Sequence, residues 1–150
     1  MPLFNEAFAL IRANLESLQK GNRVKLIAVG ILTDEQLDAI NRAREQRGYP
    51  PMVADVVFLG RHIYEGRMIR DGYTVDDVID QIASAMNSAA VVLNVPGMTT
   101  MENPHLRQDR YGNSVRDRIV FESSARHPRL EIFTIVPKGD RTKPKKAAHE

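Results

Sequence analysis

The chain has 150 residues, 43% hydrophobic and 27% charged, the size and mixture of one globular domain with one core. Its 21 Lys and Arg against 19 Asp and Glu give 21 − 19 = +2, too small a charge to name a partner. Without cysteine it excludes disulfides, thiolate metal sites and cysteine nucleophiles, and no apolar run reaches the roughly 18 residues that would mark a membrane helix. Glu6 and Glu16 interrupt the first apolar stretch, which is wrong for a secretory signal, so the expected compartment is the cytoplasm.

Residues 4–19 predict an amphipathic helix, with Phe4, Phe8, Ile11, Leu15 and Leu18 at three- and four-residue spacing and Gly21 as its stop. Residues 23–31 (RVKLIAVGI) predict a short strand. Thr33 and Gln36 have capping-box spacing and open a second helix with Leu37, Ile40 and Ala43 on its apolar stripe; Gly48 and Pro50–Pro51 close it. Residues 53–59 (VADVVFL) fit a strand or the first turns of a helix. Residues 61–70 predict a helix broken at Asp71-Gly72. Thr74 and Asp77 cap the clearest helix, whose face carries Val78, Ile82, Ala85 and Met86.

Residues 90–95 predict a strand and residues 96–113 a long loop. Two strands follow. Residues 114–122 alternate Val115, Asp117, Ile119 and Phe121 against Arg116, Arg118 and Val120, while residues 130–136 alternate Leu130, Ile132, Thr134 and Val136 against Glu131, Phe133 and Ile135. The short connection between them predicts an antiparallel hairpin. Helices first and antiparallel strands last predict an α+β fold: one domain over residues 1–138, with N-terminal helices followed by a small antiparallel sheet, then a basic, disordered tail over residues 139–150.

Among the four histidines His62 is the most informative. It opens a helix beside Arg61, Arg67 and Arg70, and an imidazole that titrates near neutrality can move protons next to a held phosphate. Helical spacing puts Glu65 on its face, able to orient the ring, with Gly66 leaving room beside them. His105, His127 and His149 lack helical zinc spacing, and HExxH, GxGxxG, GxxxxGK[ST] and GxSxG are absent, so the sequence calls for no metal or other cofactor.

A second segment, RQDRYGNSVRDR, carries Arg107, Arg110 and Tyr111 into a turn and Arg116 and Arg118 onto one strand face. Paired guanidinium groups grip phosphate, and a tyrosine can stack on a base. Arg70, Arg107, Arg110, Tyr111 and Lys138 are thus candidate nucleic-acid contacts. The alternative is a solvated face of ion pairs to Asp109 and Asp117.

The order of parts over residues 53–138 resembles the barnase–EndoU–colicin–RelE-like group of metal-independent ribonucleases, especially its phage and mobile-element branches. Those parts are the histidine helix with Arg67 and Arg70, the Thr-capped helix, the strand of residues 90–95, and antiparallel strands ending in Phe133-Thr134-Ile135-Val136-Pro137. The whole chain also resembles proteins of bacterial mobile elements and prophages. The first resemblance implies RNA cleavage by attack of the 2′-hydroxyl, with His62 as base or acid, Arg67, Arg116 or Arg118 on the phosphate and Thr134 in contact with it. It supplies no second histidine as partner acid. The competing expectation is a non-catalytic accessory or interaction domain, whose first helix meets a protein partner or a second copy through Phe4, Phe8 and Ile11.

Overall fold

Two reciprocal caps set where helices begin. Thr33 Oγ1 accepts from Gln36 N at 3.2 Å while Thr33 N donates to Gln36 Oε1 at 3.3 Å, and Thr74 with Asp77 repeats the exchange at 3.1 and 2.8 Å. The computed structural model describes residues 2–93, 95, 97–123 and 128–139, with only the backbone of Lys138 and Gly139. The elements are α1 (Ala7–Gln19), β1 (Ile27–Ile31), α2 (Asp34–Glu45), β2 (Asp55–Phe58), α3 (Arg61–Ile63) running into a π-helix (Tyr64–Arg70), α4 (Val75–Ala85), β3 (Val91–Leu93), β4 (Thr99–Glu102), β5 (Arg107–Gln108), β6 (Ser114–Ser123) and β7 (Leu130–Gly139). This is an α+β architecture. The predicted tail lies outside the described residues from position 140 onward. No helix among the described residues is long and apolar enough to cross a membrane.

The strands form one seven-stranded sheet in the order β1-β2-β7-β6-β4-β3, with β5 also paired to β6. It is antiparallel except for β2 against β7, which is parallel. Two of its strands, β4 and β5, lie in the stretch the sequence predicts as loop. Four and two residues are too short to show a period, and pairing with β6 is what makes them strands.

The core draws on one face of this sheet: Val56, Phe58, Met101, Ile119, Phe121, Leu130, Ile132 and Ile135 pack against Ile11, Leu15, Ile40, Ile63, Val78 and Ile82. Ile11 is fully buried and Phe4 and Phe8 pack on the same cluster, so the apolar stripe offered above to a partner is consumed inside the chain's own core. The other face carries Val57, Thr100, Glu102, Arg116, Arg118, Val120, Glu122, Glu131, Thr134 and Val136, as the ladder register requires.

One irregularity rearranges β7. Phe121 stands opposite Ile132 but Val120 stands opposite Thr134, so Phe133 is an extra residue in the ladder. The simple alternation predicted from sequence, with Thr134 and Val136 beside Ile132, therefore fails past the bulge. Ile135 takes the core face, and Thr134 and Val136, both half-buried, move to the opposite, uncovered one, where Arg116 and Glu122 are exposed but Val57 and Thr100 are buried.

The predicted helix of residues 61–70 is mostly a π-helix, with Asp71 N donating to Gly66 O five residues back at 3.1 Å. Gly60 turns the chain from β2 into it at φ 96°, and a Cβ there would lie 2.7 Å from the Phe58 ring and 3.3 Å from Leu15. Gly60→Ala should cost roughly 1–3 kcal/mol from backbone strain and crowding; urea unfolding with an unchanged midpoint would refute this account of the turn.

Candidate functional site

The turn at Gly60 decides where His62 lands. Strand β2 stops at Phe58 while β7 runs on, and α3 packs beside the part of β7 that has lost its parallel neighbour. There the exposed His62 ring stacks on Phe133, the bulged residue, with centroids 4.1 Å apart and planes 19° from parallel. An open groove of about 250 Å³ lies at this junction, lined by Gly60, Arg61, His62, Glu65, Glu131 and Phe133 among others. The shared face of His62 and Glu65 expected from helical spacing is thus a shared groove wall.

Glu131 is half-buried in that wall and stands directly opposite Glu122 across the β6–β7 ladder. Burial pushes its carboxyl above the ordinary glutamate value, and the Glu122 charge adds to the rise.

Thr134 follows Phe133 on the uncovered sheet face. Arg118 stands opposite Val136, so it occupies the diagonal position to Thr134, a Cα separation of roughly 7–8 Å. Arg118 Nη2 donates to Glu102 Oε1 at 3.3 Å. Its Nε and the Thr134 hydroxyl are both buried without a hydrogen-bond partner among the described residues. Buried polar atoms are nearly always paired, so two orphaned atoms of neighbouring side chains call for an explanation. Arg116 is exposed on the same face, with its Nε donating to Pro104 O at 3.3 Å, and the Lys138 backbone stands opposite it. His62 and Glu65 thus line the groove at the β7 bulge, whereas Thr134, Arg116 and Arg118 lie outside its lining, on the sheet face that Glu131 shares.

The remaining predicted residues are elsewhere. Arg67 sits in the π-helix with its Nη1 2.7 Å from Asp71 Oδ2, and its Nε is also unpartnered. Arg70 is largely exposed and reaches the same carboxylate at 3.5 Å. Arg107 forks onto Asp117, whose carboxyl burial raises against the opposing pull of Arg107. Arg110 bridges Asp77 at 2.6 Å and Asp80 at 2.7 Å. Tyr111 Oη donates to Asp77 Oδ2 at 2.7 Å, and burial with this bond pushes its phenol up to about 12. Arg107, Arg110 and Tyr111 thus clamp the turn at Gly112 onto α4 and β6; the guanidinium groups meant for phosphate are held by carboxylates of the chain itself.

Phe133, Glu131 and Glu102 complete the site without having been singled out from sequence. An aromatic breaking the period of β7 was the one signal for the first; nothing local marks the two glutamates. Among the described residues no three His, Asp or Glu side chains gather as metal ligands.

Fold and site together define an α+β protein whose sheet is covered by helices on one face, with a histidine–aromatic groove where the uncovered face begins. No protein-family model, curated protein or solved structure matches the chain.

A glutamate raised in the folded state costs stability once it ionises. Glu131→Gln should therefore stabilise the protein at pH 7, by less than about 1 kcal/mol for so solvated a group, and the gain should vanish below pH 4, where the carboxyl is protonated in both states. Urea midpoints of both proteins at the two pH values check this, and destabilisation at pH 7 would contradict it.

Proposed function

We propose that the groove and the uncovered sheet face form a site for RNA, and that the chain cleaves RNA without a metal ion. The observation that carries this reading is the orphaned pair, Arg118 Nε and Thr134 Oγ1, one diagonal step apart and next to the His62–Phe133 stack. Both atoms are closed off from solvent, so a phosphodiester reaches them once the two side chains turn outward, and guanidinium on phosphate is a strong, charge-assisted contact. Glu102 holds Arg118 by one contact at 3.3 Å and fixes its direction.

In the reaction a 2′-hydroxyl attacks the adjacent phosphorus. Its proton passes to a base, the bond to the 5′-oxygen breaks, and that oxygen leaves with a proton from an acid. The products are a 2′,3′-cyclic phosphate and a 5′-hydroxyl. His62 and Glu131 line one groove and are the two groups that exchange these protons, which supplies the partner that the sequence lacked. Arg118 stabilises the charge that grows on the phosphate oxygens.

The second reading, RNA binding or protein interaction without catalysis, is favoured by the pairing of Arg107 and Arg110 with Asp117, Asp77 and Asp80, which withholds these two arginines from a phosphate.

An end-labelled single-stranded RNA incubated in EDTA distinguishes them. The expected result is cleavage leaving cyclic phosphate ends, slowed roughly 10²–10⁴-fold by His62→Ala and roughly 10²–10³-fold by Arg118→Ala, with Arg110→Ala at the parent rate where folded. Absence of cleavage, loss of it in EDTA, or parent-like rates in the folded His62 and Arg118 variants would overturn the catalytic reading.

A further inference from the structure

The two ends of the sheet are treated differently. At β1 the N-terminal segment seals the edge: Phe4 N donates to Val29 O at 2.9 Å, Ile31 N donates to Pro2 O at 2.8 Å, and Leu3 bridges Gly30. At the opposite end, among the described residues, β3 pairs with β4 alone. Gln36 Nε2 donates to Ala90 O at 3.2 Å, just before the strand starts.

Helix α2 runs alongside this strand. Gln36 stands at the beginning of β3, while Arg44 reaches Thr99 Oγ1 at 3.0 Å and Arg47 reaches Met98 O at 3.1 Å, where β4 begins. Between helix and strand lies a groove of about 380 Å³ with Gln36, Ala39, Ala90, Val91 and Val92 in its lining. Its alanines leave depth for a visiting side chain. Val91 remains 46% exposed. Among the described residues, Glu35 is the one charged residue lining it.

We propose that β3 and α2 together bind an extended segment of a partner protein, which adds a strand to the sheet at β3. An unpaired strand edge offers backbone donors and acceptors, and an adjoining groove selects alternate side chains of the guest. Small or β-branched guest residues suit the alanine floor, and a basic residue suits Glu35. A second copy fits less well. Its own β3 would bring its own α2, about 10 Å across, to the same side of the joined sheet, into the space of the groove. This surface is separate from the His62 groove and does not depend on RNA cleavage.

The test uses the full chain, isotope-labelled for NMR, and acetylated, amidated hexapeptides alternating threonine and valine with lysine or glutamate at one end. The lysine peptides should shift the amides of Val91, Val92, Leu93 and Ala39, and the glutamate peptides should bind roughly two- to fivefold more weakly, the worth of one exposed ion pair. Glu35→Lys should reverse that order. Backbone N-methylation of the lysine peptide should abolish binding. Unshifted β3 amides, equal binding of the N-methylated peptide, or a dimer in sedimentation that Val91→Lys dissociates would each overturn the proposal.

Discussion

Strand β7 is the member on which the structure hangs. It pairs in parallel with β2 and antiparallel with β6, so it joins the strands made early in the chain to those made late. A parallel partner needs a long crossover, and everything from the end of β2 to the start of β7 supplies it. The bulge at Phe133 then sorts the side chains of this central strand. Leu130, Ile132 and Ile135 close the core, while Phe133 and Thr134 are freed from it. One inserted residue thus creates both the platform under His62 and the position of the Thr134 hydroxyl.

The arrangement of charge follows a second constraint. Burying a carboxylate is costly unless a donor meets it. Asp77 and Asp117 are buried, and each is met by an arginine from the segment that follows β4: Arg110 and Arg107 respectively. Tyr111 and Asn113 fasten the same turn through Asp77 and Asp109. The density of arginine between positions 107 and 118 therefore has two origins. Arg107 and Arg110 balance buried acids on the helical side, whereas Arg116 and Arg118 stand on the uncovered face.

The uncovered face differs from a solvated sheet surface in what it leaves undone. Glu131 faces Glu122 directly, an unfavourable pairing of like charges across a ladder, and Arg118 and Thr134 retain unpartnered buried atoms. Arg67 Nε in the π-helix and Gln81 Oε1 on α4 are the other buried atoms without a partner among the described residues, while the capping boxes, the Asn41 bonds to Met52 and the Asn14 bonds to Lys25 and Leu59 are satisfied. Natural sequences concentrate such violations where binding or chemistry is required. The π-helix beside His62 belongs to the same neighbourhood, and such turns recur at functional sites.

The sequence by itself determined what depends on near neighbours. The caps at Thr33 and Thr74, the stops at Gly21 and Gly48, the apolar stripes of α1 and α4, the β6 alternation and the α+β class all rest on interactions within a few residues, and spacing alone reveals these. His62 and Glu65 were legible as a pair for the same reason. Tertiary structure decided the rest. Strands β4 and β5 exist because β6 is beside them. The faces of Thr134 and Val136 turn on a bulge that no period announces. Which arginines are spent on Asp77, Asp80 and Asp117, and that Glu131 lines the same groove as His62, are consequences of contacts between residues tens of positions apart. Such pairings are set by how the sheet and helices close on one core, and a linear pattern carries no record of that closure.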